Sequence, residues 1–136
     1  MALLLATQAE PKKATQLLSQ AESNPAAAFA ASEQEIFGFT HGQPGMRLAA
    51  KWGFPDSSAA AIAWHHEPDQ APETHRPLCK LIYIADTLAS GAQVGCPLTC
   101  STQAVNLEQL IEAKIEPEIA AAVTAKLPIL LRLYMS

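Results

Sequence analysis

Ten prolines and six glycines cut this chain of 136 residues into a succession of short segments, and Ala and Leu fill most of them. Those two residues favour helix, whereas β-branched residues favour strands, and Val is scarce. No stretch alternates apolar and polar residues cleanly between turn signals. The pattern therefore predicts an all-α domain, a bundle of about six to seven helices.

The punctuation places those helices. Pro11 fits the first turn of a helix over 11–22. Asn24-Pro25 reads as an N-cap followed by an N1 proline, opening a helix that Gly38 ends. Thr40 is expected to cap a helix over 41–52, closed by Gly53, and Asp56 to cap one over 57–66. A polar loop follows over 67–76, and Pro77 opens a helix reaching Ser90, with Gly91 at its end. Residues 92–105 read as a loop, Asn106 caps a helix over 107–115, and Pro117 starts the last helix, with Pro128 as an expected kink. Three apolar stripes are read as core faces: Leu78, Leu81, Ile82, Ala85 and Ala89; Leu107, Leu110, Ile111 and Ile115; and Ile119, Val123, Leu127, Leu130 and Leu131.

Composition removes several classes of function. Apolar residues make up 49% and charged residues 16%, which is incompatible with a disordered tail, and the length suits one hydrophobic core. A net charge of -4 and a pI near 5.5 argue against a nucleic-acid partner. No apolar run reaches the roughly 18 residues of a membrane span. Met1-Ala2-Leu3-Leu4-Leu5-Ala6 lacks the basic flank of an export signal. Three cysteines cannot all pair internally, so free thiols and a cytoplasmic location are expected. The apolar start itself reads either as the tail of a helix that begins upstream, in a longer polypeptide, or as a buried N-terminal turn.

Polar residues intrude on apolar faces at three places. His41 begins a helix whose inner stripe continues through Gly45, Leu48 and Trp52. Gly45 admits a close neighbour, and a helix N-terminus favours neutral imidazole. His65 and His66 end the helix that starts at Ser57; His66 lies in line with Ala59, Ile62 and Ala63, and His65 at a flank. Asp86 borders the apolar stripe of its helix beside Cys79 and Ile82, where a carboxylate needs a donor, and a histidine is the expected one. Mixed histidine and carboxylate ligands suit a divalent transition metal. Alternatively, His41, His66 and Asp86 form a buried polar network tying three helices together. Elsewhere the residues point to no chemistry. His75 reads as solvated, Glu33 and Glu35 as an exposed helix face, and Cys96 and Cys100 as loop thiols without enough companions for zinc.

Taken in order, Glu33-Gln34-Glu35-Ile36-Phe37-Gly38-Phe39-Thr40-His41, then Gly45, Leu48-Ala49, Trp52-Gly53-Phe54-Pro55, Ala61-Ile62, His65-His66-Glu67-Pro68 and Ala85-Asp86 resemble the HDOD family, a signalling branch of the HD-domain superfamily. The likeness is concentrated in residues 33–91. It implies an all-α bundle. In catalytic HD phosphohydrolases a first His, a His-Asp dipeptide and a later Asp hold the metal, and some branches add histidines. The added positions match His41 and His65 or His66, and the later Asp matches Asp86. The upstream His and the dipeptide have no counterpart, because this sequence contains no His-Asp dipeptide. HDOD domains resemble one another in lacking a reliable metal set, and they are regarded as regulatory modules beside receiver, kinase or cyclic-dinucleotide domains.

The resemblance thus implies that residues 1–136 are a single all-α domain, the C-terminal part of an HDOD domain in a longer signalling protein. Its expected role is a noncatalytic output module of the response-regulator type, with a protein partner or neighbouring domain, no nucleic acid, no membrane and no cofactor. His41, His65, His66 and Asp86 are then vestigial ligand positions holding no metal. The alternatives are a metal-dependent phosphohydrolase or phosphodiesterase whose remaining ligands lie upstream of residue 1, and a helical oligomerisation adapter that forms a homodimer through its last helix.

Overall fold

The computed structural model of the chain describes residues 8, 10–23, 29–91 and 105–134. Among these there are seven α-helices, one 3-10 turn and no strand. The helices are α1 (Pro11–Ser23), α2 (Phe29–Phe37), α3 (Gly42–Lys51), α4 (Asp56–Trp64), α5 (Arg76–Gly91), α6 (Leu107–Glu112) and α7 (Pro117–Tyr134), with the 3-10 turn Pro68–Gln70 between α4 and α5. The expected N-cap at Asn24-Pro25, the apolar start at 1–6 and the thiols Cys96 and Cys100 lie outside the described residues.

Two glycines end helices where a side chain would strain the backbone. Gly38 follows α2 with φ +80° and Gly53 follows α3 with φ +74°. The starts differ from expectation in two places. Thr40 does not cap α3; His41 occupies the N-cap position without a side-chain cap bond. Asp56 is the first residue of α4, behind Pro55, so it contributes a favourable charge to the first turn rather than a cap. Asn106 behaves as read: its side chain accepts from the Gln109 amide, and Gln109 reaches back to the Asn106 amide.

Two apolar clusters hold the bundle. Ala60 of α4, Ala71 and Cys79 of α5 form one, with Trp64 packed against it. Ile84 of α5, Leu110 of α6 and Ala120 of α7 form the other, flanked by Tyr83, Leu88, Val105, Ala113 and Ile115. Lys80 adds an ionic tie, bridging Asp69 in the 3-10 turn and Glu112 at the end of α6. Both acids are solvent-accessible, so the tie contributes about 1 kcal/mol or less.

The apolar stripes read from the sequence need correction. Leu81 and Ile82 of α5 are exposed, and the inner face is set by Cys79, Ile84 and Thr87. Leu107 and Ile111 of α6 face outward, leaving Leu110 inside. On α7 the inward line is Ala120, Thr124 and Leu127, while Ile119, Val123 and Leu130 are exposed. Trp52, expected on the inner stripe of α3, is 60% exposed; Gly42 and Ala49 are the buried positions there. These helices carry apolar residues on more than one side, so periodicity alone did not select the buried face.

α3 and α4 form the most extensive helix pair, and glycine makes it close. A Cβ on Gly42 would stand 2.5 Å from the Ala63 carbonyl oxygen, and one on Gly45 would stand 2.7 Å from Cγ2 of Ile62. The start of α3 is thereby pressed onto the end of α4, which brings His41 to His65 and His66.

Candidate functional site

The three imidazoles meet edge to edge. His41 Nε2 lies 3.1 Å from His65 Nε2 and 3.2 Å from His66 Nε2. The ring centroids of His65 and His66 are 4.0 Å apart, and those of His41 and His66 are 4.9 Å apart and nearly perpendicular. All three side chains are half-buried. α4 ends at Trp64, two residues earlier than expected, so the two later histidines turn in from just beyond the helix rather than projecting from its last turn.

The outer nitrogens are tied down. Glu33, only 3% exposed, accepts from the His41 amide at 3.0 Å and from His41 Nδ1–H at 2.6 Å, both through Oε2. The Ile62 carbonyl accepts from His65 Nδ1–H at 2.9 Å. Carboxylate and carbonyl oxygens only accept, so both Nδ1 atoms carry hydrogen in neutral rings. The lone pairs of His41 and His65 are consequently on the facing Nε2 atoms.

Glu33 is the functional residue that the sequence reading missed. The sequence places it on an exposed helix face, whereas the structure buries it. A signal was available: Glu33 continues the inward line of Phe29 on α2, one turn on. The network expected from His41, His66 and Asp86 is also rearranged. His41 and His66 are in contact, His65 joins them, and Glu33 supplies the carboxylate. Among the described residues no hydrogen bond joins Asp86 to an imidazole; its charge reaches His65 through space. Asp86 projects from α5, which packs against α4. His75 stands half-buried at the entry to α5 and is not part of the cluster. Cys79 is wholly buried, and that burial pushes its thiol up, so it is a packing residue rather than a reactive one.

The HDOD-domain model matches residues 1–68, half of the chain, a span that includes Glu33, His41, His65 and His66 and stops short of Asp86. The chain belongs to the HDOD-domain family. It is therefore an HD-superfamily domain of the signalling-associated kind. Neither a curated protein nor a solved structure matches it. Among the described residues of this HDOD domain, no helix is long and apolar enough to cross a membrane.

Burial and the neighbouring imidazoles of His65 and His41 hold His66 down at about 3, and burial, followed by His41, lowers His65 against the pull of the Ile62 carbonyl, Asp86 and Glu33. The sign of the pH effect follows. Above the ordinary histidine value of 6.5 these rings are neutral in both the folded and the unfolded chain. Below it the unfolded chain takes up protons that the folded one resists, so stability falls as pH drops toward about 3. After allowance for solvent access, the metal-free HDOD domain is expected to lose on the order of 1 kcal/mol between about pH 7 and about pH 5. Urea midpoints at the two pH values check this, and equal midpoints are incompatible with buried neutral rings.

Proposed function

We propose that this domain is a noncatalytic regulatory module of a bacterial signal-transduction protein, of the response-regulator output type. It works by presenting a helical surface to a partner protein or a neighbouring domain. One observation carries the proposal: among the described residues, no carboxylate hydrogen-bonds the edge at which the three imidazoles meet. Glu33 spends its inner oxygen on the His41 amide and Nδ1, on the side of the ring away from the other two histidines. Asp86 influences His65 only at a distance. General acid–base chemistry needs a group within hydrogen-bond reach of the reacting atoms, beside the place where substrate sits. Family membership supports the same role. Trp52 and Phe54, exposed on either side of Gly53 in the α3–α4 turn, supply the kind of aromatic surface that protein partners use.

The test is hydrolysis by the purified chain of a model phosphodiester, bis(p-nitrophenyl) phosphate, and of a cyclic dinucleotide, each with manganese, iron(II), nickel and zinc. No turnover above the metal-only blank is expected. Turnover that disappears in His66→Ala would overturn the proposal in favour of a metal-dependent phosphohydrolase.

A further inference from the structure

We infer that the outward side of α3, continued by the aromatic turn into α4, docks an acidic amphipathic helix of a partner protein. The inference rests on the regulatory reading and names the chemistry of the partner that such a module takes.

Two rows of side chains run side by side along α3. Pro44, Leu48 and Trp52 follow one another at i, i+4 and i+8, and all three are at least partly exposed, Trp52 at 60%. Arg47 and Lys51 stand on the adjoining flank, also one turn apart, and both are exposed. Neither row includes Gly42 or Ala49, the positions of α3 buried in the bundle.

The two cations have no carboxylate of their own. α3 contains no acid, and among the described residues neither Arg47 nor Lys51 forms an ion pair. Like charges at i and i+4 repel and weaken a helix. Lys51 is offset by its place in the last turn, where a cation meets the negative end of the helix dipole; Arg47, one turn earlier, is not. The nearest acid along the chain, Asp56, serves the first turn of α4. Carboxylates brought by a partner turn the repulsion into attraction.

The aromatics beside them are held out rigidly. The Phe54 amide donates to the Ala49 carbonyl at 3.0 Å and the Gly53 amide to that of Ala50 at 3.1 Å, with Gly53 at φ +74°. In this kind of helix ending the residue after the glycine packs back on the last turn, yet Phe54 remains 50% exposed. Trp52 and Phe54 therefore offer large apolar area with little backbone freedom left to lose on binding. A partner helix lays its apolar row along Pro44, Leu48 and Trp52 and sets its acids against Arg47 and Lys51. With only these two cations on α3 and a net charge of -4 on the chain, an anionic membrane or a nucleic acid is disfavoured.

The test uses a synthetic helix of about four turns, with glutamates at i and i+4 along one edge and leucines along the next, and a second helix with lysine for every glutamate. Tryptophan fluorescence and calorimetry with the whole chain should give a Kd of about 10–100 µM for the acidic helix in dilute buffer, weakened about tenfold in about 0.5 M salt. Trp52→Ala should weaken it about tenfold. Arg47→Glu/Lys51→Glu should lose the acidic helix, keep the same thermal melt and gain the lysine helix, a reversal that a merely structural role does not produce. No binding of the acidic helix by the folded chain, equal binding of the two helices, or undiminished affinity in the charge-reversed variant would each overturn the inference. So would capture by phosphatidylglycerol vesicles, or self-association in light scattering, that disappears in the same variant, since the face then belongs to a lipid surface or a second copy. All of these outcomes leave the noncatalytic reading standing; phosphodiester hydrolysis sinks that reading and leaves a measured acidic-helix site in place.

Discussion

Glu33→Ala is expected to destabilise the folded chain by about 3 kcal/mol. The carboxylate is buried and accepts two hydrogen bonds from one residue, the His41 amide and the His41 ring. Truncation leaves both donors in an interior that water reaches poorly, and each orphaned group costs about 1–3 kcal/mol. It also frees the His41 ring to rotate, so the cluster loses its order along with its stability. Glu33→Gln separates the two effects, because its amide oxygen can still accept; a loss of about 1 kcal/mol is expected there. Urea denaturation of the three proteins at neutral pH measures this, with equal m-values as the check that the same transition is being compared. If Glu33→Ala costs no more than a surface substitution, about 0.5 kcal/mol, the carboxylate does not hold His41.

Gly42→Ala should be as damaging, for a steric reason. Its Cβ would lie 2.5 Å from the Ala63 carbonyl oxygen, 3.0 Å from that of Ile62 and 3.1 Å from the Ala63 carbonyl carbon. These are backbone atoms of α4, which cannot rotate aside as a side chain can. The two helices must separate, and overpacking of this kind costs about 3 kcal/mol. Because the same contact positions the imidazoles, the variant should also disorder the cluster without any change to its own residues. Gly38→Ala is the control: it has open space around it but a φ of +80°, so about 1 kcal/mol of backbone strain and an intact cluster are expected. Equal stability of Gly42→Ala and the wild type would mean that α3 and α4 are not in close contact.

Much of the helical order was legible because its signals are local. Pro11, Gly38, Gly53, Asn106 and Pro117 mark boundaries that the structure keeps to within a residue or two. His41 and His66 were legible for a similar reason, since each interrupts an apolar line, whereas His65 reads as a flank residue and joins the cluster only because the chain turns in beyond Trp64. Glu33 was not, because acids in a helix are seldom buried, and its partner lies eight residues on, across the turn at Gly38. The buried faces of α5, α6 and α7 were hidden by abundance: with Leu and Ile on several sides, only the packing partner decides which are covered. Asp86 was misjudged by the opposite route. Its border position agrees with its partial burial, but a helical wheel does not say whether an imidazole comes within hydrogen-bond reach.

The α5 helix is shared by both apolar clusters. Cys79, near its start, belongs to the cluster that includes Trp64, the residue next to His65; Ile84, five positions on, belongs to the cluster shared with α6 and α7. A hydrogen-bonded rod held at both places shifts as one piece. A neighbour acting on α7 would therefore be felt first at the Ile84 cluster and, along α5, at the cluster that packs Trp64 beside His65, which lies within the span that the family model matches.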